Sequence, residues 1–439
     1  MFILHCSDAD GKSVSLRYAP HASSLTNMDG TPVLASRRLT QEHRWEDAVR
    51  ISPQQPGRKL ANPTVLKIQL GLGCNYTCSY CNQSSQVDAM AMTKTADAYA
   101  FLVDLDKWLK EPPARIEFWG GEPLLYFRKL AILVPELDKR FPDAEFSMVT
   151  NGSLLTEEIV EFIARYDICI TVSHDGPGQH LRGEDPFEDP KRGDLLKALW
   201  QERKTGERMW FSSVLTPDNS DPAALRRWFV ETLGDESVVT SLEGVVATHD
   251  DQSLAGPGVW NAEQYRSLKD AVAASFETGE ALLIPALREK ARSFMESLLS
   301  GTPSTSMGQK CGMDRSDHVA VDLHSNVLTC HNTGANAQHG LGSALAMDEV
   351  RLDTSTHWAN RECCSHCPVL QLCGGSCMYL EGEQFAQSCE NEYQFGLGVL
   401  DGTLRRALGL KLDRIEGDVR RPARRKVIPI AMEDSFVRA

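Results

Sequence analysis

Three cysteines with C-x3-C-x2-C spacing follow directly on an apolar run. Cys74, Cys78 and Cys81 come just after residues 64–70, whose length and β-branched content predict a buried strand. Two glycines between the run and the first cysteine allow the backbone to turn tightly. The pattern therefore predicts three thiols clustered on one short loop at the end of a strand.

Three thiols on one loop suit a metal centre that keeps an open position. A structural zinc site or a closed iron–sulfur cluster takes four protein ligands. A cubane cluster on three cysteines leaves one iron free for a substrate or cofactor. The alternative is a zinc loop whose fourth ligand comes from elsewhere in the chain.

A second motif ends the next predicted strand. Arg115–Trp119 is followed directly by Gly120, Gly121, Glu122 and Pro123, here called the GGEP segment. Two glycines allow close approach of the backbone to a ligand, and a carboxylate accepts a hydrogen bond from an ammonium group. The GGEP segment is therefore a candidate binding site for an amine.

Cysteine is the outlier in composition, with 13 in 439 residues, and eight of these lie between Cys311 and Cys389. Seven of the eight form the array C-x18-C, a gap, C-x2-C-x5-C-x3-C, a gap and C: Cys311, Cys330, Cys364, Cys367, Cys373, Cys377 and Cys389. Clustered thiols in a long chain without a secretory signal indicate metal ligands rather than disulfides. Zinc is the alternative occupant of this array as well. Cys6, Cys169 and Cys363 are interpreted as free thiols.

Overall composition narrows the class of protein. The formal net charge of −14 argues against a nucleic-acid partner. No stretch approaches the roughly 18 uninterrupted apolar residues that indicate a membrane span. The first residues lack the basic and apolar segments of a secretory signal. We therefore expect a cytoplasmic protein that is long enough for more than one domain.

Strands and helices alternate from residue 64 to about residue 250, which places both motifs at strand ends. Further strands are predicted at 145–150, 167–173, 208–215 and 238–247, and a hairpin at 318–329. Strands separated by helices form parallel β-α-β units, and six units make a partial barrel with its ligand at the C-terminal strand ends.

Together, the C-x3-C-x2-C loop and the GGEP segment resemble the radical S-adenosylmethionine (SAM) superfamily. In that superfamily a [4Fe–4S] cluster on the three cysteines binds SAM through its open iron, and reduction releases a 5′-deoxyadenosyl radical. The resemblance implies that Tyr80 lies beside the adenine of SAM, that the GGEP segment holds the amino group, and that Ser173 contacts SAM. Arg182 resembles an arginine that approaches SAM, although at a different spacing; the alternative is an exposed surface arginine.

The second array resembles the SPASM extension of peptide-modifying radical SAM enzymes, with Ser325 at the position of a usual glycine. The resemblance implies an inner auxiliary cluster on Cys311, Cys330 and Cys377, and an outer one on Cys364, Cys367, Cys373 and Cys389. Seven thiols fall one short of the eight that two closed cubanes need. The inner cluster then has an open iron, unless Cys363 supplies the eighth ligand.

The resemblance implies SAM and three [4Fe–4S] clusters as cofactors, and a flavodoxin-like or ferredoxin-like electron donor. The expected activity is oxidative modification, typically crosslinking, of a ribosomally made precursor peptide. One alternative is an anaerobic sulfatase-maturating enzyme, which forms formylglycine with an Asp base that no residue here identifies. Another alternative is an enzyme of this family that modifies a small molecule. A non-catalytic iron–sulfur carrier or sensor is the alternative of a different class.

The predicted organisation has five parts. Residues 1–63 form an N-terminal extension, either a small β-containing segment or a peptide-binding one. Residues 64–255 form the radical SAM partial barrel, and residues 256–305 a helical bridge. Residues 306–395 form the SPASM domain, and residues 396–439 a C-terminal helix with a basic tail.

Overall fold

The computed structural model describes residues 1–34, 45–84, 93–244, 258–336 and 338–422. The strands are β1 (Phe2–Ser7), β2 (Ser13–Ala19), β3 (Ser24–Asn27), β4 (Gly57–Arg58), β5 (Val65–Gln69), β6 (Arg115–Trp119), β7 (Glu145–Thr150), β8 (Cys169–Ser173), β9 (Met209–Leu215), β10 (Thr240–Gly244), β11 (His318–Asp322), β12 (Asn326–Leu328), β13 (Gly340–Ser343), β14 (Arg351–Leu352) and β15 (Lys411–Glu416). The α-helices are α1 (Thr95–Trp108), α2 (Phe127–Arg140), α3 (Glu157–Arg165), α4 (Pro190–Arg203), α5 (Pro222–Leu233), α6 (Ala262–Thr278), α7 (Pro285–Ser300), α8 (Glu362–Ser365), α9 (Leu370–Cys373) and α10 (Gly382–Leu408).

Six parallel strands form the predicted partial barrel. They pair in sequential order from β5 to β10, and helices α1 to α5 connect them in turn. All five residues of β5 are buried, including Lys67 and Gln69, as in a strand that is covered on both faces. Gln69 pairs with Trp119, so the cysteine loop and the GGEP segment leave adjacent strand ends. The α/β partial-barrel fold expected from the sequence is therefore confirmed.

Helix starts in the barrel follow the sequence signals. Thr156 caps α3 by accepting a hydrogen bond from the Ile159 amide at 3.3 Å. Asp221 caps α5, and Pro222 occupies its first turn. Such caps satisfy backbone N–H groups that have no partner inside the helix, so these helices begin where the local sequence specifies.

The barrel sheet continues into the cysteine-rich region. The predicted hairpin is present as β11 and β12, and β11 pairs in parallel with β5 from His318 to Asp322. Strand β13 extends the sheet beyond β12, which gives nine strands among the described residues. The predicted boundary at residue 306 thus divides two regions that share one sheet.

The two ends of the described chain meet in a second, antiparallel sheet of order β15-β1-β2-β3. Its β1–β2 hairpin turns at the Asp10-Gly11 pair that the sequence marked. The sequence analysis placed a helix and a basic tail from residue 396, whereas α10 begins at Gly382 and is followed by β15. Strand β15 is mostly exposed and forms by pairing with β1, a partner about 400 residues away that local patterning does not reveal. The tail beyond residue 422 lies outside the described residues.

The predicted helical bridge is formed by α6 and α7, and α10 packs closely on α6. A Cβ on Gly402 would lie 2.4 Å from the Phe276 ring, and one on Gly398 would lie 2.8 Å from the Lys269 carbonyl oxygen. The two glycines therefore allow close helix contact, which fixes the position of Cys389 on α10. Among the described residues, no helix has the length and apolarity needed to cross a bilayer.

Candidate active site and thiol centres

Residues 74–81, here called the cysteine loop, are anchored to two neighbouring strand ends. Asn75 donates to Ser153 Oγ at 2.8 Å and accepts from Asn151 Nδ2 at 3.0 Å, both just after β7. Tyr76 Oη donates to the Glu184 carbonyl at 2.7 Å, beyond β8. These contacts hold the loop over the C-terminal edge of the barrel.

The glycines of the GGEP segment let two backbones touch. The Gly121 amide donates to the Gly71 carbonyl and the Glu122 amide to the Gly73 carbonyl, each at 3.1 Å. A Cβ on Gly120 would lie 2.5 Å from the Gly71 oxygen, and one on Gly121 would lie 2.4 Å from the Gly73 oxygen. The sequence analysis assigned these glycines to close approach of a ligand, whereas in the structure they bring the GGEP segment against the start of the cysteine loop.

Glu122 is buried and joins the end of β6 to the end of β7. Its carboxylate accepts from Thr150 Oγ1 at 2.6 Å, from the Asn151 amide at 2.7 Å and from the Leu124 amide at 2.9 Å. Burial raises the pKa of the Glu122 carboxyl, and these donors offset that effect only in part. A carboxylate has about four acceptor sites, so one is left for the amine of a ligand.

Asp175 connects two residues that the resemblance placed beside SAM. Tyr80 Oη donates to Asp175 Oδ2, and Arg182 Nη2 donates to Asp175 Oδ1 at 3.2 Å. The Val214 amide also donates to Asp175 Oδ1, at 2.8 Å. The Arg182 side chain is only 12% exposed and its charge lies 5.6 Å from the Tyr80 ring centre, so the surface-arginine alternative is wrong. At this strand end the sequence resemblance assigns a role only to Ser173, so the part played by Asp175 emerges from the structure.

His174, next to Asp175, is fully buried and fixes that strand end. Its Nε2 lies 2.9 Å from Asp185 Oδ1, and its Nδ1 accepts from the Gly176 amide at 3.0 Å. Its ring stacks on Trp228 with centroids 4.9 Å apart. Both ring nitrogens are therefore engaged in structure, and His174 is held away from reacting groups.

One cavity of about 1430 Å³ brings the predicted SAM residues together. Its lining includes Cys74, Cys78, Cys81, Tyr80, Gly120, Gly121, Glu122, Ser173 and Arg182. Pro123 is buried at the start of a short helical turn and is not part of the lining. Charged side chains of the barrel interior, among them Glu117, Arg208 and Glu243, line other parts of the same cavity.

Backbone amides point at the sulfur atoms of most predicted cluster ligands. The amide two residues further on donates to Cys74 and to Cys81 at 3.4 Å, and to Cys330 at 3.5 Å. The amide two residues further on also donates to the sulfurs of three more predicted ligands, Cys311, Cys367 and Cys377. Donors to sulfur stabilise thiolates and belong to the protein environment of iron–sulfur clusters.

The thiol of Cys169 behaves differently, because it donates to the Glu207 carbonyl at 3.7 Å. Burial raises the pKa of the Cys6 thiol to about 11. The Cys169 sulfur is thus a hydrogen-bond donor, whereas the sulfurs of Cys74 and Cys330 are acceptors. Within the described ranges, no three or more His, Cys, Asp or Glu side chains converge closely enough to hold one metal ion.

The inner set, Cys311, Cys330 and Cys377, lies together beside Tyr379. Burial raises the pKa of the Cys330 thiol to about 12, with further contributions from Cys311 and Cys377. The buried Tyr379 faces the same three thiols and donates to the Thr329 carbonyl at 2.5 Å. These three thiols therefore lie near one another, although they are up to 66 residues apart in the chain.

The outer set lines a second, smaller cavity. Its lining includes Cys363, Cys364, Cys367, Cys373 and Cys389, together with Tyr393 and Arg421. The thiol of Cys363 shares hydrogen bonds with Cys364 and Cys389. The structure therefore places Cys363 with the outer set, and not with the inner set where it was considered as an eighth ligand.

The inner set adjoins the large cavity through the residues after Cys330. The Trp119 ring, which lines the cavity, lies on the His331 ring with centroids 3.7 Å apart. Asn332 also lines the cavity; its amide donates to Cys330 Sγ, and its side chain accepts from Gln83 Nε2 at 3.2 Å. Sequence analysis missed this junction, because polar residues after a cysteine carry no distinctive signal.

A buried ion pair lies on the inner face of the first two barrel strands. Lys67 Nζ lies 2.7 Å from Glu117 Oε2, and both side chains are about nine-tenths buried. Trp119 Nε1 and Arg115 Nε also reach Glu117, each at 2.9 Å. Burial alone would raise the pKa of the Glu117 carboxyl, but these three donors outweigh it and lower that pKa below its usual value.

Part of this chain is similar in sequence to known proteins. Residues 68–187 match the model of the radical SAM superfamily. An uncharacterised protein of Methanocaldococcus jannaschii is 33% identical over 154 residues, which are 33% of this chain and 51% of that protein. The radical SAM cyclopropyl synthase TigE of Paramaledivibacter caminithermalis is 24% identical over 196 residues, 41% of each chain. This chain thus spans about half the length of the curated relatives it matches.

A solved structure of native anSMEcpe with bound AdoMet and Cp18Cys peptide is similar in fold, with a TM-score of 0.53 and 17% identity. The likeness covers 77% of this chain and 99% of that chain. The cysteine loop and the GGEP segment both lie within residues 68–187, the part of the chain that matches the radical SAM superfamily model.

Proposed function

We propose that this protein is a radical SAM maturase of the SPASM type that oxidatively modifies, and typically crosslinks, a ribosomally made peptide. One observation carries the proposal: two further thiol sites exist, and the inner one adjoins the large cavity through His331 and Asn332. An oxidised product has lost electrons that need an acceptor, and thiol sites beside the cavity are suited to hold acceptors.

In this proposal Cys74, Cys78 and Cys81 hold the cluster that binds SAM. When bound, the cluster and SAM together supply a 5′-deoxyadenosyl radical that removes hydrogen from a substrate. Tyr80 forms the wall beside the adenine, and the hydroxyl group of Tyr80 is held by a hydrogen bond to Asp175. The remaining acceptor site of Glu122 takes the amine of SAM, while the glycines beside it keep the cysteine loop in place.

The auxiliary sites hold two more [4Fe–4S] clusters in this proposal. Cys311, Cys330 and Cys377 hold the inner one. Cys364, Cys367, Cys373 and Cys389 hold the outer one, with Cys363 as an additional thiol. A flavodoxin-like or ferredoxin-like protein supplies electrons to the SAM-binding cluster, and the protein works in the cytoplasm.

The cavity is large enough to hold a substrate beside SAM, and the comparisons favour a peptide as that substrate. Pockets for small ligands measure about 300 to 1,000 Å³, and this cavity is larger at about 1430 Å³. The structure that shares its fold contains a bound peptide, and TigE is named as a cyclopropyl synthase. The net charge of −14 favours a basic segment in the peptide.

The alternative function is formylglycine formation on a sulfatase, and the experiment described below distinguishes it from peptide maturation. The family associates that reaction with an aspartate base, and the described residues that line the cavity include no aspartate. Asp175 lies nearby, but its carboxylate is fully buried and bonded to Tyr80 and Arg182.

The test is anaerobic co-expression with each short open reading frame beside the gene, followed by intact peptide mass measurement. Loss of two hydrogens from one peptide supports maturation, and fragmentation locates the new bond. The matched control is Cys74→Ala, which should leave every peptide unchanged. Release of 5′-deoxyadenosine without any peptide change would contradict the peptide proposal and favour a sulfatase or a small molecule. Absence of release under dithionite would favour the redox carrier.

A further inference from the structure

The end of the described chain folds back over the outer thiol cavity. After β15, the Arg420 amide donates to the His366 carbonyl at 3.3 Å, and Asp418 lies 3.1 Å from His366 Nδ1. His366 itself lies between Cys364 and Cys367. These contacts fix the segment 417–422 against the outer site and direct Arg421 towards it.

Arg421 makes four contacts at the outer site. Its Nη1 donates to Cys389 Sγ at 3.4 Å, and its Nη2 donates to the Cys389 carbonyl at 3.0 Å. The guanidinium lies 3.9 Å from the centre of the Tyr393 ring and 3.1 Å from Glu390 Oε2. The Arg421 side chain is 23% exposed, so water screens its charge only in part. A planar guanidinium held by four partners has one defined orientation.

We propose that Arg421 is a positioning residue that raises the reduction potential of the outer cluster. The inference rests on the proposed function, because it requires a cluster on the outer thiols. Reduction adds negative charge to a cluster. A hydrogen bond to a ligand sulfur and a nearby cation both stabilise that charge and raise the reduction potential.

Charges of both signs surround the rest of the outer cavity, since Glu392 also faces Cys373. Two lysines, Lys290 and Lys310, face Cys373. The Lys290 Nζ donates to the Leu372 carbonyl at 2.7 Å. Glu392 is the acidic partner of Lys310, and Glu390 is the acidic partner of Arg421.

The inner thiol set has a different arrangement of charges. Asp314 faces Cys311, and two lysines, Lys59 and Lys67, face Cys311 and Cys330. Lys67 is paired with Glu117, and Lys59 donates to three backbone carbonyls. Arg361 faces thiols of both sets, so it does not distinguish them. Among the described residues, Arg421 is the arginine or lysine whose side chain donates directly to a ligand sulfur. At the inner site, His331 Nδ1 lies 3.9 Å from Cys330 Sγ.

The experiment is a potentiometric titration of the anaerobically reconstituted full chain, followed by EPR. Arg421→Ala and Arg421→Gln are compared with the wild type. Arg420→Ala is the matched control, because it removes an equal charge one residue away whose partners are Glu362 and Asp418. Iron and sulfide content are measured for each protein, and Cys389→Ala or Cys367→Ala identifies the signal of the outer cluster.

We expect one auxiliary signal to shift to a more negative potential in both Arg421 variants, further in Arg421→Ala, with unchanged iron content. Arg420→Ala should keep the wild-type potential. No shift, or an equal shift in Arg420→Ala, would overturn the inference, and so would loss of the cluster from both Arg421 variants. A wild-type protein with only the SAM-binding cluster would instead overturn the proposed function itself.

Discussion

The ion pair between Asp175 and Arg182 gives the most direct test of how the SAM site is held. Both side chains are buried, at 0% and 12% exposed, and their closest atoms are 3.2 Å apart. Removal of one partner from a buried pair leaves an unpaired charge and costs about 3–5 kcal/mol. Asp175→Asn keeps the shape of the side chain and an acceptor for the Val214 amide, so we expect a loss near the lower value.

Arg182→Met should cost a similar amount, because Asp175 then stays buried with only Tyr80 and the Val214 amide as donors. The double variant leaves no unpaired charge at this point. We therefore expect a total loss well below the roughly 6 kcal/mol sum of two single losses of about 3 kcal/mol each. The difference measures the coupling between the two side chains.

The assay is urea unfolding of anaerobically reconstituted protein, with iron content and SAM affinity measured in parallel. Glu289→Gln on α7 is the control, since its partner Arg292 is more than half exposed and the pair is screened by water. That variant should be indistinguishable from the wild type. Strictly additive losses for Asp175→Asn and Arg182→Met would refute the reasoning, because they would show that the pair is not coupled.

Three further predictions concern the cavity and the thiol sites. Gly121→Ala places a Cβ 2.4 Å from backbone oxygens of the cysteine loop, so iron content and SAM cleavage should fall together; retention of both would show that the loop can move aside. Cys74→Ala should abolish release of 5′-deoxyadenosine under dithionite, while Cys373→Ala should retain much of it; equal release by Cys74→Ala and wild type would refute the site assignment. Because its partners lower the pKa of Glu117, the stability from this carboxylate is present above its unfolded pKa of about 4.5 and is lost as pH falls through the folded value. Lys67→Met should lower stability at neutral pH and flatten the acid limb of a stability–pH profile, and an unchanged profile would contradict this.

Local sequence was sufficient for the barrel strands and for the approximate position of the site. β-Branched runs specify buried strands, and parallel strands bring their C-terminal ends to one edge. The cysteine loop and the GGEP segment both follow such strands, so their meeting could be predicted. The function of the GGEP glycines could not, because a glycine pair does not reveal which backbone it approaches.

The sequence by itself determined that this chain has a three-cysteine loop and a longer cysteine array, because the type and spacing of residues are read directly from the chain. Tertiary structure decided which thiols converge. Cys363 lies with the outer set. Cys377 lies near Cys311 and Cys330, which are distant in the chain, and no local sequence pattern predicts this contact. Tertiary structure also decided that Asp175 anchors Tyr80, and that Arg421, about 30 residues beyond Cys389, returns to its sulfur. These contacts depend on the pairing of β15 with β1 and on the close packing of α10 on α6, and long-range pairing of this kind is specified only by the complete fold.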